Sequence, residues 1–261
     1  MVSGAKYDRI GIRYNETRRA DPRIVSLISD QLGTIGNGPV LDIGCGTGNY
    51  TNALNRSGLD MIGVDPSRHM LTMAEQSSNA ILWLEGSADR IPLKDNSVAG
   101  VLAMLTIHHW QDLFSSMRDI RRVVRADGSF VLFTAFPKQM EGYWLNHYFP
   151  KMMSDSILQM PDQIHLHKAI TDTGWQIKCE QRFFIQTDHC DMFLYCGKHH
   201  PERYLDKRIR QGISSFSDLA YESEVDKGLN KLISDIESGE INHIKRTFEN
   251  TLGDYMLITI K

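Results

Sequence analysis

The stretch from Pro39 to Gly48 decides the fold, and it reads Pro-Val-Leu-Asp-Ile-Gly-Cys-Gly-Thr-Gly. Its first half is β-branched and apolar, which is typical of a short buried strand. Gly44, Gly46 and Gly48 then occupy every second position. Glycines at this spacing allow a sharp turn from strand to helix, and they let a ligand approach the backbone because no Cβ intervenes. The helix that follows has unpaired N–H groups at its start, so the stretch predicts a site for a nucleoside-containing cofactor.

The spacing of the glycines separates two kinds of cofactor. The fingerprint of dinucleotide-binding proteins is Gly-x-Gly-x-x-Gly, with the pyrophosphate on the helix N-terminus. This loop instead reads Gly-x-Gly-x-Gly, and an acid, Asp42, precedes its first glycine. An acid suits a cationic amino acid better than a diphosphate, which argues against an NAD-dependent oxidoreductase. A second strand ends about twenty residues later at Asp65, where a carboxylate can accept hydrogen bonds from both ribose hydroxyls.

Residues 40–48 and the sequence Asp65-Pro66-Ser67 resemble the first two motifs of the class I S-adenosylmethionine-dependent methyltransferases, of the small-molecule UbiE or Methyltransferase-11 type. The resemblance implies a Rossmann-like α/β fold: a seven-stranded, mostly parallel sheet with its last strand antiparallel, plus a helical insertion. It also implies S-adenosylmethionine as the cofactor and S-adenosylhomocysteine as the product. The implied reaction is the in-line transfer of a methyl group to a small-molecule acceptor.

The resemblance further implies which residues contact the cofactor. By it, Tyr14 covers the methionyl end, Arg18 pairs with the carboxylate, and Asp89 accepts a hydrogen bond from the exocyclic amine of adenine. The alternatives are a solvated N-terminal arm for the first two residues and a solvated or capping role for the third. Met70 is expected near the adenine, although methionines at helical spacing are more often core. The full predicted set is Tyr14, Arg18, Asp42, Gly44, Cys45, Gly46, Gly48, Asp65, Pro66, Ser67, Met70, Ala88, Asp89 and Leu105.

The segment after the fourth predicted strand contains the candidate catalytic residues. It reads Thr-Ile-His-His-Trp over residues 106–110 and resembles the family's Leu-His-His-aromatic junction. His108 and His109 are candidate bases for an O–H or N–H acceptor, or they orient the acceptor without accepting a proton. Neighbouring side chains on an extended backbone point in opposite directions, so at most one is expected to face the site. The junction lacks the Asn- or Asp-Pro-Pro-aromatic tetrapeptide of enzymes that methylate nucleobase amines, which argues against such a substrate.

The regular alternation of strands and helices up to Pro137 predicts a parallel sheet with right-handed crossovers. We therefore assign residues 1–137 to an N-terminal cap helix and the cofactor-binding core. Residues 138–261 complete the sheet with strands at 175–187 and 255–260, and add a helical, substrate-binding insertion at about 138–173 and 188–254, all within a single domain. The acceptor pocket is expected between this insertion and the two histidines, lined by Tyr143, His147, His199 and Arg203. The basic run around the last two residues could equally be a solvated helix face.

Composition limits the partners. The chain of 261 residues is 41% hydrophobic and 23% charged with a formal net charge of -3, which gives no overall attraction to nucleic acid or to an anionic membrane. No apolar run suggests a transmembrane helix or a signal peptide, so a cytoplasmic location is expected. The four cysteines are irregularly spaced and do not reproduce the pattern of an arsenic methyltransferase, and no metal site is predicted. A monomer or homodimer is expected, with Phe193-Leu194-Tyr195 as a candidate interface. The main alternative function is a protein of this fold that binds S-adenosylmethionine or S-adenosylhomocysteine without methylating.

Overall fold

The computed structural model describes residues 17–32 and 38–261, and a seven-stranded sheet lies at its centre. The strands are β1 (Val40–Ile43), β2 (Met61–Asp65), β3 (Leu82–Glu85), β4 (Val98–Met104), β5 (Val124–Thr134), β6 (Ile177–Phe183) and β7 (Tyr255–Ile260). Their order in the sheet is β3-β2-β1-β4-β5-β7-β6. The first five strands pair in parallel, and β7 runs antiparallel between β5 and β6. The predicted fold class is confirmed.

The position of each strand in this order explains its sequence. All four residues of β1 are buried because the strand lies between β2 and β4 and is covered on both faces. In contrast, β3 lies at the edge of the sheet, and the side chain of Leu82 is 53% exposed. Leu82 is exposed because β3 pairs on one side only.

Helices connect the strands and form most of the chain after β5. They are α1 (Pro22–Leu32), α2 (Asn49–Arg56), α3 (Arg68–Ser77), α4 (Leu113–Val123), α5 (Pro137–Glu141), α6 (Leu145–Tyr148), α7 (Pro150–Leu158), α8 (Gln163–Asp172), α9 (Lys207–Gln211), α10 (Glu222–Ser238) and α11 (Ile241–Thr247). Two 3₁₀ turns (Ile107–His109 and Pro201–Leu205) and one π-helical turn (Ser215–Leu219) complete the elements. None of the helices in the described ranges has the length and apolar character that crossing a bilayer requires.

The helix boundaries follow local signals in the sequence. Asp21 precedes Pro22 and accepts a hydrogen bond from the N–H of Arg23, and Ser67 Oγ accepts one from the N–H of Met70 at the start of α3. Residues 205–219 do not form one continuous helix. The carboxylate of Asp206 accepts the N–H of Arg208 and starts a new helix there, which ends at Gly212.

The helical insertion packs onto one face of the sheet through aromatic side chains. The rings of Tyr143 and Tyr195 in the insertion stack with centroids 3.9 Å apart, and Phe193 packs edge-on against Tyr255 of β7 at 4.8 Å. Phe193 and Tyr195 are each only 3% exposed. The expectation that this apolar cluster lies at an interface between subunits is therefore wrong, because its aromatic rings are part of the core of the chain itself.

Candidate active site

A cavity of about 200 Å³ opens at the carboxyl ends of β1, β2 and β4, where parallel sheets place their ligands. One part, here called the cofactor end, is lined by the glycine loop and by Asp65, Pro66, Met70 and Leu105. The other part, here called the acceptor end, is lined by both histidines of the junction and by side chains of the helical insertion. The same cavity thus brings together residues that the sequence predicted for two different molecules.

The three positions of the loop require glycine for different structural reasons. All three have positive φ angles of 55–78°, which favour glycine. A Cβ on Gly44 would clash with the side chain of Thr106, and a Cβ on Gly48 would clash with the ring of Trp83. A Cβ on Gly46, in contrast, would meet no protein atom within 4 Å. Gly46 also lines the cavity, so it is the glycine whose missing side chain leaves room for a ligand.

Asp65, the last residue of β2, is fixed by backbone hydrogen bonds at the floor of the cofactor end. Its Oδ2 accepts the N–H of Gly46 at 2.8 Å, and its Oδ1 accepts the N–H of Ser67 at 2.9 Å. Each carboxylate oxygen therefore has a further lone pair for a ligand hydroxyl. Burial raises the pKa of Asp65, although these two hydrogen bonds act in the opposite direction.

Asp42 of β1 lies behind the loop and does not line the cavity. Its Oδ2 accepts a hydrogen bond from Thr51 Oγ1 at 2.6 Å, whereas its Oδ1 is buried and has no partner. Burial raises the pKa of Asp42 to about 7; the negative charge of Asp65 adds to this increase, and the Thr51 hydrogen bond opposes it. A buried carboxylate oxygen without a hydrogen-bond partner costs free energy, so the packing of the protein alone does not explain an acid at this position.

The junction after β4 has a strained backbone and a tight turn. Leu105 lines the cavity with φ of +52°, a conformation that a bulky side chain rarely adopts. Residues 107–109 then form a 3₁₀ turn, and the rings of His108 and His109 lie 3.9 Å apart. Both histidines line the cavity. The expectation that at most one faces the site is wrong, because it assumed an extended backbone.

The N-terminal segment is joined to the cavity by an ion pair between a partly buried arginine and a buried aspartate. Arg18 lines the cavity, and its Nε donates to Asp191 Oδ1 at 2.6 Å. The hydroxyl of Tyr50 donates to the other oxygen of Asp191 at 3.1 Å. Close by, His189 Nδ1 lies 3.0 Å from Asp21 Oδ2. Burial acts to raise the pKa of Asp21, but hydrogen bonds from His189 and the Cys190 N–H outweigh it and hold that pKa well below its usual range.

The acceptor end has mostly apolar and aromatic walls. Its apolar lining comes from four parts of the chain: α5 and the residues just after it, the α7–α8 connection, the loop that follows β6, and strand β7. The residues are Met140, Tyr143, Met160, Phe193, Leu194 and Tyr255. Residues 212–219, here called the cap segment, complete the wall and contribute Ser214, Ser215 and Asp218. This part of the cavity therefore suits a largely apolar molecule with a small number of polar groups.

The remaining described residues of the predicted cofactor set lie outside the cavity lining. Tyr14 falls outside the described residues. Asp89 is exposed and accepts a hydrogen bond from Ser87 Oγ at 2.5 Å. The other predicted cofactor contacts outside the lining are buried or half-buried around the loop: Cys45, Gly48, Ser67 and Ala88.

Three residues predicted for the acceptor pocket hold the insertion together. His199 Nε2 lies 2.8 Å from the carbonyl oxygen of Ile185, and Arg203 donates to the carbonyl oxygen of Cys196 at 2.8 Å. The ring of His147 packs edge-on against that of Tyr148, and burial lowers the pKa of this histidine. Of the predicted acceptor residues, Tyr143 lines the cavity, and its hydroxyl donates to the carbonyl oxygen of Asp254.

Sequence reasoning missed Asp191 and Asp218. Both are single acids in a long segment without a motif, and each reaches the site region only through the packing of the insertion. A buried partner for Arg18 was the one available signal, because a guanidinium at a buried site requires a carboxylate. Within the described part of the chain, no group of three or more His, Cys, Asp or Glu side chains is arranged to hold a metal ion.

Comparison with known proteins identifies the family. Residues 41–132 match the family model described as a methyltransferase domain. The crystal structure of a putative methyltransferase from an antibiotic biosynthesis pathway of Anabaena variabilis is 34% identical, with a TM-score of 0.82, and the match covers 94% of this chain and 99% of that one. This chain belongs to the class I S-adenosylmethionine-dependent methyltransferases. The resemblance that the glycine loop indicated is thereby confirmed.

Curated methyltransferases match a smaller part of the chain. An uncharacterized methyltransferase of Mycobacterium tuberculosis is 40% identical over 89 residues, which are 34% of this chain and 36% of that protein. The chain thus aligns with only about a third of the length of this relative. A demethylmenaquinone methyltransferase of Paenarthrobacter aurescens is 24% identical over 192 residues, covering 65% of this chain and 74% of that protein.

Proposed function

We propose that this methyltransferase transfers the methyl group of S-adenosylmethionine to a small-molecule acceptor bound in the acceptor end of the cavity. The observation that carries the proposal is the continuity of one cavity from Gly46 and Asp65 to His108 and His109. A cofactor held by the first pair would direct its reactive end toward the second pair. The apolar walls beyond the histidines then provide a place for the acceptor.

Three features of the cofactor end support S-adenosylmethionine as the ligand. Asp65 has unused acceptor capacity on both oxygens, which suits two ribose hydroxyls. Gly46 leaves open space on the cavity side of the loop. Asp42 Oδ1 is a buried acceptor without a partner directly behind the loop. The carboxylates of Asp65 and Asp42 are hydrogen-bond acceptors, so they fit a ribose and a cationic amino acid better than a pyrophosphate.

The chemistry needs few catalytic groups from the protein. When bound, S-adenosylmethionine supplies an electrophilic methyl group on a positively charged sulfur. The walls of the acceptor end hold the nucleophile in line with that methyl group, and such orientation can supply about 7 to 11 kcal/mol of the barrier reduction. For an O–H or N–H acceptor, a ring nitrogen of His108 or His109 accepts the proton that the nucleophile loses. The apolar side chains of Met140, Phe193 and Leu194 keep water from competing.

Calorimetric titration tests the cofactor part of the proposal. We expect wild type to bind S-adenosylmethionine and S-adenosylhomocysteine and not to bind NADH. Asp65→Ala removes two hydrogen bonds to a charged group, each contributing about 1.5 to 3 kcal/mol, so the affinity should fall by at least about 100-fold. Asp60→Ala is the matched control, because this exposed acid lies just before the other end of the same strand and should not affect binding.

A turnover screen tests the transfer itself. S-adenosylhomocysteine produced from S-adenosylmethionine in the presence of a panel of small acceptors is measured for wild type and for Asp65→Ala. Turnover in wild type that is lost in the variant supports the proposal. Binding without turnover by any acceptor would favour the alternative of a cofactor-binding protein that does not methylate. Failure to bind either sulfur compound would contradict both.

A further inference from the structure

The cap segment contains the one π-helical turn found in the described residues, and this turn faces the acceptor end. The turn spans Ser215–Leu219, and tighter bonds lead into it: the N–H groups of Phe216 and Ser217 both donate to the carbonyl oxygen of Ile213, each at 3.0 Å. π-helical turns are rare and occur frequently at functional sites, where the extra residue redirects a side chain. Here the turn places Asp218 and Leu219 in the wall of the cavity.

The carboxylate of Asp218 is half-buried in the wall of the acceptor end. Its Oδ1 accepts a hydrogen bond from Ser217 Oγ at 2.9 Å. No ion pair in the described part of the chain includes Asp218, although the other acid of the insertion that contacts the site region, Asp191, pairs with Arg18. A carboxylate in a partly desolvated site gains most from a ligand that donates charged hydrogen bonds.

The charged side chains that line the cavity differ in their partners and in their position. Of the described lining residues, three carry a formal charge: Arg18, Asp65 and Asp218. Arg18 is paired with Asp191, and Asp65 faces the cofactor end. The acceptor end therefore presents one carboxylate, the hydroxyls of the cap segment, and apolar walls. An anionic acceptor would meet repulsion from Asp218, whereas Arg18, the one lysine or arginine among the described lining residues, already pairs with Asp191.

We propose that Asp218 recognises a protonated amine on the acceptor, so that the substrates are apolar or aromatic amines rather than carboxylates or phosphate esters. This inference rests on the proposed function and specifies its substrate class. The amine N–H groups donate to the carboxylate, and the apolar part of the molecule packs against Met140, Met160 and Phe193, where sulfur–aromatic contacts are favourable. Asp218 acts in recognition and takes no part in the transfer step.

The test uses three probes that share a phenyl ring and differ in charge: phenethylamine, 2-phenylethanol and phenylacetate. Binding of each is measured by calorimetry to full-length protein saturated with S-adenosylhomocysteine. We expect phenethylamine to bind most tightly and phenylacetate most weakly. In Asp218→Asn the affinity for phenethylamine should fall by about tenfold to a hundredfold, as expected for loss of a charge-assisted hydrogen bond, while the affinity for 2-phenylethanol changes little. In Asp218→Lys the order of amine and carboxylate should reverse.

Asp226→Asn provides the control, because this exposed acid of α10 lies outside the cavity lining and its loss changes net charge equally. The proposal is wrong if wild type binds the amine no better than the carboxylate, including the case in which neither binds. It is also wrong if Asp218→Asn weakens the binding of S-adenosylmethionine but not the binding of the amine, since Asp218 would then contact the sulfonium.

Affinity for S-adenosylhomocysteine is measured first in every variant. If wild type does not bind it, the proposed function itself fails; if it binds normally and shows no amine preference, only this inference fails.

Discussion

The two ends of the cavity are constructed in different ways. The cofactor end is made by residues that are close in sequence, at the ends of β1 and β2, and it presents backbone groups and the carboxylate of Asp65. The acceptor end collects side chains from residues 140–160, 193–194 and 212–219, which meet only in the folded chain. A site made from backbone geometry permits few residue types, so it leaves a motif. A site made from packed side chains accepts many combinations, so it leaves none.

The largest effect is expected where the insertion is joined to the N-terminal segment. Asp191 is buried and accepts hydrogen bonds from Arg18 and from the hydroxyl of Tyr50. Asp191→Ala removes a buried carboxylate from a partly buried guanidinium, which should lower the free energy of unfolding by about 3 kcal/mol, the low end of the range for breaking a buried ion pair. Chemical denaturation of wild type and variant measures this difference.

A second ion pair between the same two segments provides the control. Arg23 at the start of α1 pairs with Asp188 in the loop after β6, but both side chains are exposed. Exposed pairs contribute little because water and salt screen them, so Asp188→Ala should leave the unfolding transition nearly unchanged. Equal effects of the two variants would show that burial is not what gives the Arg18–Asp191 pair its importance.

Substitutions at two glycines of the loop should have different effects: one mainly on stability and the other mainly on ligand affinity. Gly44→Ala forces a Cβ into Thr106 and a side chain into the left-handed region, which together should cost about 2 to 4 kcal/mol of unfolding free energy. Gly46→Ala carries only the backbone cost of about 1 to 2 kcal/mol, since its Cβ meets no protein atom. Its Cβ enters the cavity instead, so we expect the affinity for S-adenosylhomocysteine to fall by about tenfold or more.

Gly174→Ala is the reference for these two variants. Gly174 has φ of +83° between α8 and β6, and a Cβ added there would have no protein atom within 4 Å. It should therefore lose stability like Gly46→Ala and keep full affinity for the ligand. If Gly46→Ala binds S-adenosylhomocysteine as tightly as Gly174→Ala does, the loop does not approach the ligand at Gly46.

The same contrast explains what could be predicted from sequence. The pattern around residues 39–48 and Asp65 was sufficient for the fold and the family, because few other folds require glycines and acids together at the ends of two strands. The pattern did not show that Gly44 and Gly48 are required by Thr106 and Trp83, since these contacts join different strands. Asp218 could not be found, because a single acid in a helical stretch resembles any solvated acid until the π-helical turn directs it inward.

Local backbone geometry was a second limit on prediction. The sequence Ile-His-His follows a strand, and an extended backbone there would direct only one histidine to the site. The strained Leu105 leads the chain into a 3₁₀ turn instead, and both rings reach the cavity. The sequence does not predict this turn, because leucine is unfavourable at positive φ and a leucine therefore gives no sign of such a conformation.

Two buried carboxylates, one in each half of the chain, should respond to pH with opposite sign. Asp42 is buried without a cation, and burial raises its pKa to about 7, above the value of an unfolded chain. Asp235 of α10 is also buried, which acts to raise its pKa, but hydrogen bonds from Lys231 and Tyr148 lower that pKa below the usual value. The folded state therefore prefers the protonated form of the first acid and the ionised form of the second.

The sign of each effect follows from proton linkage. Between the unfolded and folded pKa values of Asp42, the folded state binds more protons, so stability falls as pH rises through this range and is constant above it. The free energy of unfolding of wild type should fall by about 2 kcal/mol relative to that of Asp42→Asn between pH 5 and pH 7, because the neutral amide does not titrate.

Asp235→Asn should behave in the opposite way. It is less stable than wild type at pH 7, and the difference shrinks as pH falls below 4, where Asp235 becomes protonated. Urea denaturation of the three proteins across this range measures both trends. A constant difference between wild type and Asp42→Asn from pH 5 to pH 7 would mean that Asp42 does not change its protonation in this range, so burial does not raise its pKa in the way described here.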